Sequence, residues 1–344
     1  MKQGRFLSFP ERSFLLIVKP LKRPVIIDQL EALSRRLPPR HPRYGKIVND
    51  LGGYRSGYAG EKHLLYTLRS FAERPDLNFL HNVRLLQYGY HFETDLMILS
   101  RHQHIFLESK NFKGRLEFDG ETGQFTRVDA DTGERQVFRQ PLLQVQSHRD
   151  DFTGWLVKQK LSAEVPIEAY AVLTHSQAFL DPASMDKSMA GRLFRSEVLP
   201  QRIQKLLGQK TGVCLTDVQL QAICDRILLM DRPLKRNVLS TYGIPQSDLI
   251  TGVRCPACSQ IPMLKRKTKW CCGRCGFTGN SETVLPPTMR DYALIVSEYL
   301  TKKQFMNFCH MENGPQASYY LRKQRLQMKG GTKGAVYCLS DLLK

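Results

Sequence analysis

Along the chain, apolar and polar positions alternate with periods that change from segment to segment. A short apolar run, Phe14 to Val18, is closed by Pro20. Pro24 to Leu37 carries a helical pattern, opened by a proline whose missing N–H is harmless in a first turn and stopped by Pro38-Pro39. The Pro-Pro-Arg-His-Pro-Arg-Tyr-Gly stretch at 38–45 predicts an extended arm, since prolines cannot feed a sheet ladder. Past the glycines of 52–60, Leu64, Leu65, Leu68 and Phe71 share one face of a helix expected over Glu61 to Phe71. Strands are expected over 79–86, 94–100 and 105–112; Leu96-Met97-Ile98-Leu99, apolar at every step, predicts one covered on both faces. Residues 114–127 predict an antiparallel excursion turned at Asp119-Gly120-Glu121-Thr122-Gly123. A long helix over 140–160, a strand over 167–174 and helices over 196–207 and 216–229 follow. The order helix, three strands, helix, strand makes this region α/β.

The last third changes character. Five of the nine cysteines crowd into residues 255–275. Beyond them come helices near 290–300, 302–310 and 316–328, then Gly330-Gly331 and a strand over 335–339, an order that predicts a winged-helix-like domain. On its third helix Ala317, Tyr320 and Leu321 face inward, while Ser318, Tyr319, Arg322, Lys323 and Arg325 face out. Lys329, Lys333 and the glycines would form a short wing. Four segments result: a basic N-terminal helix and arm (1–50), an α/β domain with a helical extension (51–250), a cysteine module (251–285) and the C-terminal domain (286–344).

Charge sharpens this division. Lys and Arg number 51 against 32 Asp and Glu, a net of +19, while 42% hydrophobic residues exclude wholesale disorder. Residues 1–50 carry a net +7 and residues 251–344 a net +10, leaving the middle almost neutral. Two basic ends around an acid-containing middle fit arms that hold a polyanion beside a site of another kind, with nucleic acid the first partner to expect. No apolar run is long enough for a signal peptide or a membrane span, which predicts a cytoplasmic protein without a membrane partner.

The middle holds a constellation of charged groups in apolar strands. Glu108 and Lys110 share a face of the strand Ile105-Phe106-Leu107-Glu108-Ser109-Lys110, and Asp95 begins the strand before it. Two carboxylates brought so close repel one another unless a divalent cation lies between them, and Mg²⁺ takes such oxygen ligands. An ammonium beside them can orient water or stabilise a phosphorane-like transition state. Glu93 and Lys113 are nearby charges read as structural, and His102 and His104, flanking a turn, as solvated or capping residues.

Gly57-Tyr58-Ala59-Gly60-Glu61, the strand with Glu93-Thr94-Asp95, and Phe106-Leu107-Glu108-Ser109-Lys110-Asn111-Phe112-Lys113-Gly114 resemble the nuclease-related domain (NERD) family. Gln140-Pro141-Leu142-Leu143-Gln144 with His148 resembles that family's Asn-Pro-x-x-Gln helix start, Gln140 standing for the usual Asn. The resemblance covers roughly 55–175, and the leading segment and cysteine module resemble those of a longer, Bacillus-type version. It implies a PD-(D/E)XK restriction-endonuclease-like fold with an αβββαβ core. It implies further that Asp95 and Glu108 bind catalytic Mg²⁺ or Mn²⁺, that Lys110 assists the attacking water, that Glu61 is an auxiliary carboxylate, and that Gln144 packs or hydrogen-bonds into the site. The expected activity is metal-dependent hydrolysis of phosphodiester bonds in DNA, endo- or exonucleolytic. A homodimer is one arrangement it admits, because many nucleases of this fold pair to cut both strands. The alternative is a non-catalytic nucleic-acid-binding factor that keeps the nuclease fold as a platform.

Cys255-Pro-Ala-Cys258 and Cys272-Gly-Arg-Cys275 are paired Cys-x2-Cys knuckles at zinc-ribbon spacing, which predicts a structural Zn²⁺ with no open coordination position; a redox pair is the runner-up. Cys271 does not fit the spacing. Between the knuckles, Lys265, Arg266, Lys267, Lys269 and Trp270 admit two readings: cations tracking a phosphate backbone with Trp270 stacking on a base, or a solvated hairpin with Trp270 in a small core. Together with Arg322, Lys323, Arg325 and Lys333 they form the expected nucleic-acid-binding set.

Overall fold

The computed structural model describes residues 17–119, 122–129, 131–181, 189, 191–209, 212–331 and 334–343. They fall into two compact units, one within 1–22 and 56–234, the other within 23–55 and 235–344. In chain order, β1 (Ile17–Lys19), α1 (Val25–Arg36) and α2 (Tyr44–Thr67) come first. Then follow β2 (Asn78–Gln87), β3 (Tyr90–Leu99), β4 (His104–Lys110), β5 (Gly114–Phe118), β6 (Phe125–Val128), β7 (Arg135–Phe138), α3 (Pro141–Lys158), β8 (Ile167–Leu173), β9 (Ala178–Leu180), β10 (Leu193–Arg195), α4 (Leu199–Leu207) and α5 (Asp217–Met230). The last part holds α6 (Val238–Tyr242), β11 (Leu264–Arg266), β12 (Lys269–Cys271), β13 (Thr278–Gly279), α7 (Ser281–Ile295), β14 (Tyr299–Thr301), α8 (Lys302–Cys309), α9 (Gly314–Lys323), β15 (Gln327–Lys329) and β16 (Val336–Cys338).

In the first unit, six strands form a mixed sheet in the order β1-β2-β3-β4-β8-β10. Strands β2, β3 and β4 are antiparallel, and β8 joins β4 in parallel. The continuously apolar Leu96–Leu99 is covered on both faces as its pattern requires. Leu96 and Ile98 pack with Leu64, Leu68, Leu199 and Ile203, whereas Met97 and Leu99 pack with residues of α3 and α5. On α3, Phe152 and Trp155 are fully buried and stacked at 5.6 Å; each such side chain contributes about 2–3 kcal/mol. The excursion after β4 has one strand more than its pattern showed. β7 pairs with β6, and Phe112, Phe118, Phe125 and Phe138 knit this second sheet, β7-β6-β5-β9. Residues 120 and 121 of the expected turn lie outside the described residues, as do 1–16.

Two expectations near the N-terminus are corrected. Residues 38–45 form turns, not an extended arm: His41 N–H donates to Pro38 O and Tyr44 N–H to His41 O, both at 2.9 Å, leading directly into α2. Proline's fixed φ suits a tight turn as well as an extended chain. The glycines of 52–60 lie inside α2, which begins at Tyr44 rather than near Glu61. Each interior glycine costs about 1 kcal/mol of helix propensity. Buried Ile47, Leu51, Leu64 and Leu68 along one side of the chain offset that cost.

In the second unit the cysteine module and the C-terminal helices share one core, in which Val253, Cys255, Trp270 and Cys272 pack with Tyr292, Phe305, Phe308 and Leu321. Residue Arg36 of α1 is wholly buried; its Nε lies 2.9 Å from Asp291, which also pairs with Arg35 at 3.0 Å and Arg254 at 3.1 Å. Helix α7 starts at Ser281, nine residues before the expected Arg290. Asn280 caps it, accepting from Thr283 N–H at 3.1 Å, and buried Val284, Leu285 and Met289 hold Pro286 and Pro287 within it. Helix α9 stops at Lys323, short of Met328, because residues 327–329 pair with β16. The C-terminal order is thus helix, strand, two helices and two antiparallel strands, with β16 between β14 and β15.

Candidate functional site

Strand register brings the charged residues of the first unit together. Asp95 lies one step beyond the Leu96–Leu107 pair, opposite Glu108. Its Oδ2 accepts the Ser109 backbone N–H at 2.8 Å, which fixes the carboxylate against β4. Glu108 is buried, 3% exposed; its Oε1 accepts from Lys110 Nζ at 2.7 Å, and its Oε2 is buried with no hydrogen-bond partner. Lys110 also donates to Gln144 Oε1 at 3.3 Å, tying the start of α3 to the strand. Glu61, half-buried on α2, accepts from Asn82 Nδ2 at 3.0 Å. All five expected residues thus meet at one place in one unit.

The electrostatics match a crowded, partly dry pocket. Burial first, and then the Asp95 charge, push the Glu108 carboxyl up to about 8 despite Lys110. The same two causes push Glu61 up to about 7, with Asn82 opposing. Burial raises Asp95 too, against the pull of Lys110 and the Ser109 N–H. Carboxylates in this state either hold protons or gather around a cation, and a divalent ion answers both the repulsion and the orphaned Glu108 oxygen. Asp95 and Glu108 therefore fit as oxygen ligands for Mg²⁺ or Mn²⁺.

Approach of the helix to the sheet depends on Gly60. A Cβ there would stand 2.8 Å from Thr174 Oγ1 and 3.0 Å from Asn111 Cβ, so only glycine lets Glu61 come this close to β4 and β8. Glu93 borders the cluster and its charge helps to raise Glu61, but it is half-exposed and 4.0 Å from Arg84; Lys113 pairs with Asp131 at 2.7 Å. His104 is neither solvated nor a cap: it is wholly buried, edge-on to Phe152 at 6.4 Å. A strand start read as a turn end accounts for the difference. Asn82 was not among the expected site residues. Its signal is the spacing of Leu80, Val83 and Leu85, which breaks strict alternation at that residue.

In the second unit the sulfurs of Cys255, Cys258, Cys272 and Cys275 all lie within 4.8 Å of one another. The pairs Cys255–Cys275 and Cys258–Cys272 are 3.7 and 3.5 Å apart, against about 3.8 Å for thiolates tetrahedral at 2.3 Å from zinc. Each knuckle turns through a left-handed residue, Ser259 at φ 61° and Gly276 at φ 72°, after which the chain returns to bond its own start. The Cys275 backbone N–H draws the Cys272 thiol down to about 6. The cluster is thus consistent with a zinc ribbon, and Cys271 is outside it.

The expected nucleic-acid contacts are placed unevenly. Trp270 is 3% exposed in the shared core, so of its two readings the packing one holds and base stacking is corrected. Lys265 Nζ lies over the Tyr320 ring at 5.0 Å, while Arg266, Lys267 and Lys269 stand exposed around the β11–β12 turn. Ala317, Tyr320 and Leu321 are buried as expected. Arg322 and Lys323 are exposed on α9, with Lys323 held by Glu282 at 2.9 Å; Arg325 lies beyond the helix end, and Lys333 lies outside the described residues. No helix among the described residues is long and apolar enough to cross a membrane.

Residues 56–174 match the family model of the nuclease-related domain, the span running from the second half of α2 through β8. No curated protein and no solved structure matches the chain. The chain therefore carries a nuclease-related domain of mixed α/β architecture, followed by a tetracysteine module.

Proposed function

We propose that this protein is a Mg²⁺- or Mn²⁺-dependent nuclease that hydrolyses phosphodiester bonds in DNA. The observation that carries the reading is Glu108: a buried carboxylate beside Asp95 and Lys110, with one oxygen unpartnered inside a nuclease-related domain. Asp95 and Glu108 would hold the metal, which when bound supplies Lewis acidity and offsets charge on the scissile phosphate. Lys110 carries the positive charge and three donors needed to orient a water or a phosphate oxygen, and Gln144 fixes the direction of its ammonium. Glu61 is an acidic group poised near neutrality, suited to hold or release a proton at the edge of the site.

The second unit would bind the nucleic acid. Zn²⁺ in the four-cysteine cluster would hold the β11–β12 hairpin, and the C-terminal helix-strand order supports a winged-helix arrangement with α9 as recognition helix. Arg266, Lys267, Lys269 and Arg322 supply exposed cations for phosphates. The test is cleavage of supercoiled plasmid and labelled single-stranded DNA by purified protein, with and without Mg²⁺ or Mn²⁺, beside Glu108→Gln. Metal-dependent cleavage lost in the variant is expected. Binding without cleavage, equal in both proteins, would replace this reading with that of a non-catalytic platform.

A further inference from the structure

Strand β2 does something that a plain β-strand cannot. Leu80, Val83 and Leu85 all pack in the core shared with α3 and α5, although the odd step from 80 to 83 should put them on opposite faces. On β3 the same slip occurs, since Phe92 and Met97 are five residues apart and share that core. The two slips face each other across the register at Asn82 and Asp95, between the His81–Leu96 and Val83–Thr94 pairs. Asn82 absorbs the slip on its strand with φ 49°, a left-handed conformation that costs an L residue about 1–2 kcal/mol and that asparagine tolerates better than most. Its carbonyl, turned out of the ladder, accepts from Lys19 Nζ at 2.5 Å, and Lys19 is anchored to Asp231 at 2.6 Å.

The consequence is an amide where alternation would not put one. With Leu80 facing α3 and α5, a regular strand would turn residue 82 to that side as well. Instead Asn82 Nδ2 donates to Glu61 Oε2 on α2 at 3.0 Å, and its Oδ1 is buried without a partner. Asn82, Asp95 and Glu108 thereby form a row across three adjacent strands, with the Glu61 carboxylate held over its first member. We infer that Asn82 is a positioning residue of the metal site: it engages one oxygen of Glu61 so that the other faces the ion held by Asp95 and Glu108. The inference rests on the metal-dependent reading of that site.

Glycine and aspartate substitutions separate this role from a merely conformational one. Glycine accepts φ 49° without strain, and that relief of about 1–2 kcal/mol roughly offsets the lost hydrogen bond to Glu61, so Asn82→Gly should fold with stability close to the parent's. It removes the amide, and we expect Mn²⁺ affinity in a spectroscopic titration of the full chain to fall about tenfold, with the cleavage rate falling alongside. Asn82→Asp keeps the shape and tolerates the backbone but sets a carboxylate against Glu61, and should not rescue the loss. In an Glu61→Gln background, Asn82→Gly should cost nothing further, because its partner's charge is already gone. An active parent, inactivated by Glu108→Gln, whose Asn82→Gly variant binds Mn²⁺ and cleaves normally would overturn this inference alone, as would additive losses in the double variant. A parent that neither cleaves nor binds Mn²⁺ differently from Glu108→Gln would overturn the reading of the site and this inference with it.

Discussion

Alanine placed at two glycines of the same helix should move stability in opposite directions. At Gly57, exposed, an added Cβ meets nothing within 4 Å. Gly57→Ala should therefore gain the ordinary helix-propensity increment, about 1 kcal/mol. At Gly60 the Cβ would meet Thr174 Oγ1 at 2.8 Å, Asn111 Cβ at 3.0 Å and Ser109 Oγ at 3.5 Å, on β4 and just beyond β4 and β8. Both closest neighbours belong to buried or half-buried residues, and Asn111 is bound to Ser56 O at 2.9 Å, so the helix must back away. Overpacking of this kind costs about 1–3 kcal/mol, against the same 1 kcal/mol propensity gain. The two variants should thus differ by about 1–3 kcal/mol in urea unfolding of the full chain followed at the first unit, Gly57→Ala being the more stable. The chemical effect should be larger than the thermodynamic one. Glu61 follows Gly60 directly, and Ser109, whose N–H holds Asp95, is among the displaced neighbours. Metal-dependent cleavage should survive in Gly57→Ala and fall steeply in Gly60→Ala. Equal unfolding midpoints and equal rates for the two would refute the argument that Gly60 sets the helix-to-sheet distance.

Chelation, or Cys258→Ser, should loosen more than the ribbon, because Cys255 and Cys272 share a core with Phe305, Phe308 and Leu321; hydrogen exchange should show amides of α8 and α9 losing protection, and unchanged protection there would sink that coupling. Asp291→Ala should cost about 3–5 kcal/mol in denaturant unfolding of the second unit, since it leaves Arg36 buried and unpaired beside Arg35 and Arg254; a cost below about 1 kcal/mol would show that the cluster is not needed for stability. His104 has both ring nitrogens buried without partners, and burial pulls it down to about 4. The unfolded chain takes up that proton from about pH 6.5 downward and the native chain does not, so stability is complete above about 6.5 and falls by about 3 kcal/mol on the way to pH 4. His104→Phe should flatten this acid limb, and an unaltered slope would assign the acid sensitivity to other groups such as His81.

What the sequence made legible was whatever local periodicity or covalent spacing dictates. The αβββαβ order needs only the apolar pattern, and Leu96–Leu99 announces a doubly covered strand because nothing polar interrupts it. The four cysteines converge because each Cys-x2-Cys turns the chain back on itself, a property of a few residues. Asp95, Glu108 and Lys110 could be set on one sheet from alternation alone, and Glu61 and Gln144 came from resemblance. The errors lie where a tertiary contact overrides a local preference. Glycines read as a break are helical because buried Ile47, Leu51, Leu64 and Leu68 on either side of them hold the helix, and α7 begins before Pro286-Pro287 because the apolar residues around them are buried. Trp270 next to four cations admitted stacking on a base, yet its ring is buried in the core that the ribbon shares with the C-terminal helices. Asn82 is the instructive omission. Its position shows only as a lapse in alternation, which a strand reading smooths over, and the lapse is where the chain turns an amide toward Glu61. The residues flanking the irregularity stay packed in the core, and the irregular residue's own side chain reaches a carboxylate of the candidate metal site.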